Sequence, residues 1–198
     1  EAGRMLLEGV PIEVIDRTIT SFGFPVGPVT LLDEVGLDVA QKAAGVMHAA
    51  FGERLAPAEV VGRMLADGRL GRKSGKGFYL YDDGKKDGAD DKVYDLLGVK
   101  PLAEVPTEMV HKRLVYAMLN EAAMAAGEGV VRSPRDGDLG AIFGIGFPAW
   151  TGGAMQFIYG MGVDAFEARA AELAKAYGSG FALTAEVKAA IAKYQPQY

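Results

Sequence analysis

Between Thr107 and Gly127 apolar residues recur every fourth position, at Val110, Leu114, Met118, Ala122 and Ala126, with Val115 and Leu119 beside them. That spacing predicts one long helix with a wide apolar face. Pro106 marks its entry and Thr107 is its predicted N-cap. Ser133-Pro134-Arg135-Asp136 joins a capping serine, a first-turn proline and an acid at the third helical position, which starts another helix. Pro11 stands as a first helical residue ahead of Ile12, Val14, Ile15 and Ile19. Further helices are predicted over about residues 29–35, 37–51, 58–67, 153–160 and 163–177, with a last one from Thr184 to Tyr194. Residues 78–81 (Phe-Tyr-Leu-Tyr) are the one strand-like run and are too short for a sheet. Asp82 to Asp91, rich in Asp, Gly and Lys, reads as a solvated turn or linker. The expected fold is all-α.

The pattern repeats. Glu1-Ala2 and Glu8-Gly9-Val10 return as Glu121-Ala122 and Glu128-Gly129-Val130 at an offset of 120. Gly23-Phe24-Pro25 returns as Gly146-Phe147-Pro148 at 123, and Gly36-Leu37-Asp38 as Gly162-Val163-Asp164 at 126. Ordered matches with small insertions between them mark a duplicated helical unit. The copies are expected to meet between Gly98 and Pro106. Glu121 falls well inside the long predicted helix, so its counterpart Glu1 should also lie within one. About 14 residues of the first copy are then expected upstream, the chain being a fragment.

Composition narrows the partners. A 49% hydrophobic and 24% charged chain of 198 residues has ample material for a core. Its net charge of −5 argues against nucleic acid as a partner. There is no cysteine, hence no disulfide or thiolate metal site. No apolar run reaches the roughly 20 residues that span a bilayer. The chain begins with Glu1 rather than Met, so a missing targeting segment carries no weight.

Three glycine-rich segments invite a ligand. Gly71-Arg72-Lys73-Ser74-Gly75-Lys76-Gly77 does not have the spacing of a phosphate-binding loop, and Gly77 stands where a hydroxyl should ligate magnesium. It reads as a structural turn, whose cations, with Arg69, could at most meet the phosphates of a large ligand or a neighbouring domain. Phe22 to Pro28 is a helix-to-helix elbow without a dinucleotide fingerprint. Phe143 to Gly153 is the same elbow, more aromatic, and either lines an acyl-chain pocket or plugs the core. His48 and His111 lack a nucleophile at a recognisable spacing and read as structural or surface residues. Asp33 and Glu34 are adjacent and so face different ways on a helix. From the residues alone the chain is a helical tandem repeat without catalytic machinery.

The motifs also resemble a family. Glu1-Ala2, Glu8-Gly9-Val10, Phe22 to Pro28, Leu31-Leu32-Asp33, Val35 to Asp38 and Gly71 to Tyr79, in that order, resemble the C-terminal domain of 3-hydroxyacyl-CoA dehydrogenases. Gly144 to Pro148 with Gly152-Gly153 resembles the second such domain, which closes the α-subunit of the bacterial multifunctional fatty-acid oxidation complex. The resemblance implies two helical domains, like the C-terminal domain of 6-phosphogluconate dehydrogenase, over residues 1–98 and 106–198, packed as a pseudo-dimer. It implies a parent enzyme of fatty-acid β-oxidation that oxidises 3-hydroxyacyl-CoA to 3-oxoacyl-CoA with NAD. An upstream Rossmann domain would bind the NAD and carry the catalytic His, assisted by a Glu and a Ser. The implied partners are that domain, a fused enoyl-CoA hydratase domain and a thiolase subunit, and the implied location is the cytoplasm.

Residue by residue, the resemblance places the family's catalytic Asn about nine residues before Glu1. No catalytic, cofactor-binding or metal-binding residue is then expected in this chain. The equivalent position in the second copy holds Lys112, followed by Arg113 as in the family pattern. A lysine cannot supply the carboxamide contact, which makes the second copy a structural partner. Phe143 stands where the multifunctional relatives often have a substrate-touching Tyr. The ring is kept and the hydroxyl lost, so Phe143 is the one substrate-binding candidate, by apolar contact. The alternative from another class is a non-enzymatic helical module that pairs with other subunits or holds an acyl-CoA.

Overall fold

A computed structural model describes residues 1–193. They fall into two compact units, Glu1–Ser21 with Val26–His111, and Phe22–Pro25 with the chain from Lys112. In the first, the spacing of Ile12, Ile15 and Ile19 puts all three on the buried side of α2 (Ile12–Phe22), which follows the short α1 (Ala2–Leu7). Then come α3 (Pro28–Val35), α4 (Leu37–Phe51), a 3-10 turn Gly52–Leu55 and α5 (Val60–Ala66). The strands β1 (Tyr79–Asp82) and β2 (Lys85–Ala89) and the helix α6 (Lys92–Leu97) complete it. The division falls within α7 (Thr107–Gly127). The second unit continues with α8 (Pro134–Ile145), α9 (Ala154–Met161), α10 (Val163–Tyr177), a 3-10 turn Ser179–Phe181 and α11 (Ala185–Lys193). Tyr194, the predicted end of the last helix, lies outside the described residues.

Two expectations need correction. The chain is mostly helical, as expected, but the run at 78–81 does enter a sheet: β1 and β2 form an antiparallel hairpin with Tyr81 opposite Lys86 and Asp82 opposite Lys85. Half of the supposed linker is therefore a strand. Its polar side chains hid it, but Asp83-Gly84 carries the signal: both residues have positive φ, 46° and 70°, as a two-residue hairpin turn demands. The second correction concerns two helix starts. Pro11 precedes α2, and its carbonyl accepts from Val14 and Ile15 at 3.0 and 3.2 Å. Pro106 likewise precedes α7 and accepts from Met109 at 2.9 Å, leaving Thr107 as a helical residue rather than the cap. Ser133 does cap α8, accepting from the Asp136 N–H at 3.1 Å.

One piece of local geometry occurs in both units. Asp16 of α2 accepts from the first N–H groups of α3, Val29 at 2.8 Å and Thr30 at 2.9 Å. Asp138 of α8 accepts from the first N–H groups of α9, Met155 at 2.7 Å and Gln156 at 3.1 Å. A helix start leaves such N–H groups without helical acceptors and favours a negative charge, so each carboxylate satisfies two of them. For that approach the residue before each helix has to be glycine: a Cβ on Gly27 or Gly153 would overlap the carboxylate of Asp16 or Asp138.

Gly153→Ala, where φ is +113° and the added methyl strikes Asp138, should destabilise the second unit by roughly 2–4 kcal/mol. Gly140→Ala, in α8 with nothing within 4 Å of the new methyl, should stabilise it by about 0.5–1 kcal/mol. Urea unfolding followed by circular dichroism separates the two; equal effects would refute the clash.

Candidate functional site

Unit 1 is organised by two buried carboxylates. Asp16, besides its two backbone donors, accepts from the Thr30 hydroxyl at 2.6 Å and the Tyr79 hydroxyl at 2.8 Å. Asp33, one helix later and fully buried, accepts from the N–H groups of Phe78 and Tyr79 at 3.0 and 2.9 Å and from the Tyr81 hydroxyl at 3.2 Å. Burial pushes the Asp33 carboxyl above its ordinary range, and these donors only partly offset it. The Tyr79 and Tyr81 hydroxyls are driven upward too, by burial and by the carboxylates they face. These groups act as clasps, tying α2 to α3 and α3 to the hairpin. Glu34, next to Asp33, turns outward and pairs with Arg72 at 2.8 Å.

The cationic turn is occupied by its own acids. Arg69 is buried and donates to the Gly77 carbonyl at 2.8 Å, to Asp90 at 2.7 Å and to Asp67 at 2.9 Å. Lys73 pairs with Asp38, and Lys76 lies 3.8 Å from Asp67. The segment is a turn, as the sequence reading has it, and Arg69 is a structural cation inside the unit rather than a contact for a ligand's phosphates.

The glycines that precede α3 and α9 do not offer a dinucleotide site. A dinucleotide site offers glycine backbone and a helix N-terminus to a pyrophosphate. Here the space beside Gly27, Gly153 and Gly77 is filled by the carboxylates of Asp16, Asp138 and Asp33. An anion already sits where a phosphate would have to go.

In unit 2 the aromatic elbow splits by function. Phe147 is buried and packs against Phe24 and Phe22, with ring centroids 5.4 and 6.3 Å away. It plugs the core and also lines a groove between α7 and α8. That groove has a volume of about 470 Å³ and an apolar wall of Met118, Ala122, Ala125, Ala141 and Ile145. Phe143 lies on α8, 83% exposed and outside the groove lining. Trp150, 67% exposed, anchors itself by donating its indole N–H to the Phe22 carbonyl at 3.1 Å. Lys112 and His111 sit half-buried near the start of α7, and His48 lies 3.6 Å from Glu53. Asp16, Asp33 and Asp138 were missed from sequence as organising residues. Among the described residues no helix is long and apolar enough to cross a membrane.

Comparison with known proteins gives this geometry a class. The dehydrogenase part of multifunctional enzyme 1 from C. elegans matches 96% of this chain and 44% of its own length, with a TM-score of 0.67 at 22% identity. The 3-hydroxybutyryl-CoA dehydrogenase of Escherichia coli K12 matches 97% of this chain and 57% of its own, with a TM-score of 0.73 at 20% identity. The chain has the fold of helical parts of such dehydrogenases. Residues 1–81 match the family model of the 3-hydroxyacyl-CoA dehydrogenase C-terminal domain. The fatty acid oxidation complex subunit alpha of Shewanella sp. (strain MR-4) is 48% identical over 169 residues, 83% of this chain and 24% of the relative. The subunits of strains ANA-3 and MR-7 match equally well. This chain spans about a quarter of the length of these relatives.

Asp33 and Asp90 should leave opposite marks on stability. A carboxyl raised in the folded state, like Asp33, contributes stability that is lost as pH rises from its unfolded value through its folded one. Burial pushes Asp90 up, but Arg69 and the Lys92 N–H outweigh it and hold its pKa low; its contribution is lost as pH falls through the folded value. Urea unfolding between about pH 3 and about pH 6 should show Asp90→Asn losing the acid-side decline and Asp33→Asn losing the opposite slope. Identical profiles for the two variants would contradict the assignment.

Proposed function

We propose that this chain is the helical part of an NAD-dependent 3-hydroxyacyl-CoA dehydrogenase of fatty-acid oxidation, whose catalytic residues and cofactor site lie outside residues 1–198. The observation that carries the reading is the 48% identity to fatty acid oxidation complex alpha subunits along 83% of the chain. The acid-filled glycine elbows support the second half of it, since they leave no room for a pyrophosphate. When bound by its own domain, NAD supplies the hydride acceptor that turns the 3-hydroxyl into a 3-oxo group. What these residues would contribute is a scaffold that closes over the acyl part of the substrate.

The unit from Lys112 onward reads as a second, non-catalytic copy of the same domain. Its support is the matched pair of capped helices, Asp16 on α3 and Asp138 on α9. Where the first unit has Asp33 clasping a hairpin, the second has Tyr159, whose hydroxyl donates to the Ile191 carbonyl of α11 at 3.2 Å. Lys112 replaces the carboxamide of the resembled family. On this reading Phe143 meets the substrate through its exposed ring.

With saturating NAD the purified 198-residue chain should fold yet show no turnover of 3-hydroxybutyryl-CoA, while the full-length parent turns it over. Activity of the short chain, or inactivity of the parent, overturns the proposal. In the parent, Phe143→Ala should raise KM for the acyl-CoA roughly tenfold, the loss of about 1.4 kcal/mol of apolar contact, with kcat nearly unchanged. A ring 83% exposed adds little to stability, so an unchanged KM would remove Phe143 from the substrate.

A further inference from the structure

An aspartate followed by glycine can cyclise on its own backbone. The glycine's amide nitrogen attacks the aspartyl γ-carbon, water leaves, and a succinimide ring forms. Glycine favours the step because it has no Cβ to crowd the ring. Water then opens either carbonyl of the ring. One opening restores aspartate; the other leaves isoaspartate, in which the chain runs through the β-carbon. The reaction needs a carboxyl and a backbone N–H that are free to meet. The chain holds four such pairs: Asp67-Gly68, Asp83-Gly84, Asp87-Gly88 and Asp136-Gly137.

The fold ties up three of them. Gly68 donates its N–H to the Leu65 carbonyl at 2.9 Å, and the Asp67 carboxylate holds Arg69 at 2.9 Å. Gly137 lies in the first turn of α8 and donates to the Ser133 carbonyl at 3.1 Å. Asp87 and Gly88 lie inside β2, which is paired with β1. Asp83-Gly84 differs from all three. It is the two-residue turn of the hairpin, and Asp83 is exposed. Among the described residues, neither the Gly84 N–H nor the Asp83 carboxylate has a hydrogen-bond partner. Asp83 is also the one non-glycine with positive φ among them, 46°, a conformation whose cost a rearranged turn relieves. A Cβ on Gly84 would meet nothing closer than Arg72 at 3.8 Å, so the ring has room.

We propose that Asp83 is a site of spontaneous isoaspartate formation, which the fold directs to this turn and withholds from the other three pairs. The consequence runs inward. Isoaspartate puts one more atom into the backbone of the turn, and a two-residue turn sets the register of its strands. Strand β1 carries Tyr79 and Tyr81, whose hydroxyls meet Asp16 and Asp33; β2 carries Lys86, which donates to the Thr30 hydroxyl at 3.1 Å. A lesion at the exposed tip therefore loosens the clasps of the first unit.

The test ages the folded chain in mildly acidic buffer, digests it, and measures isoaspartate at each pair by mass spectrometry. Methyl transfer from S-adenosylmethionine by an isoaspartyl methyltransferase is the second readout. Isoaspartate at Asp83 should accumulate at least about fivefold faster than at Asp67, Asp87 or Asp136, which react only when local structure opens. In concentrated urea the four rates should converge to within about twofold, because no local structure then protects any pair. Asp83→Glu enlarges the ring by one atom and should remove the signal at the turn while keeping the helical circular dichroism. Absence of isoaspartate at Asp83, equal rates at the four pairs in the folded chain, or the same ranking in urea overturns the proposal.

Discussion

Each unit turns on a buried aspartate that has to meet the start of the next helix. Taking a carboxylate out of water is costly unless hydrogen bonds replace the solvent. A helix N-terminus, conversely, has N–H groups that need acceptors and a positive dipole end. Asp16 on α3 and Asp138 on α9 satisfy both demands in one contact. The angle between the paired helices, the glycine that precedes the second one, and the path of the elbow between them all follow from keeping that contact closed. In unit 1 the same device is used again: Asp33 takes the hairpin's N–H groups, so helix pair and hairpin share one polar spine.

Much of the helical pattern was legible in the sequence because it rests on local periodicity. Val163–Tyr177 has the bounds that spacing predicts, Thr107–Gly127 differs only in taking its predicted cap into the helix, and Ser133 caps as its motif predicts. The hairpin was not legible by alternation, since β2 is Lys-Lys-Asp-Gly-Ala and its partner supplies the apolar side chains. Its turn, Asp83-Gly84, was the signal to weigh more heavily. Helix α6 is only six residues long and buries Val93, Tyr94 and Leu97, too few for a period to show.

The organising acids were hidden for a different reason. A lone Asp in a helical stretch reads as a solvated position, and the donors of Asp33 lie 45 and 46 residues away. The groove of unit 2 was equally silent, because alanine and glycine announce no pocket. Phe143 was legible only through family resemblance, which finds a position without saying how far its ring stands out.

The clasps also order the units in time. Closing a chain loop loses entropy that grows with the logarithm of its length. The Asp138 clasp joins residues 17 apart and the Asp16 clasp to α3 joins residues 13 apart, but Asp33 reaches 45 residues ahead and Tyr79 reaches 63 back to Asp16. Going from 17 to 45 residues adds roughly 0.9 kcal/mol of closure entropy. The unit from Lys112 onward can therefore set its helix pair by near-neighbour search, whereas the spine of the first unit closes only when its hairpin arrives. The two units thus close their clasps over different lengths of chain, and the longer closures belong to the unit that carries the family-model match.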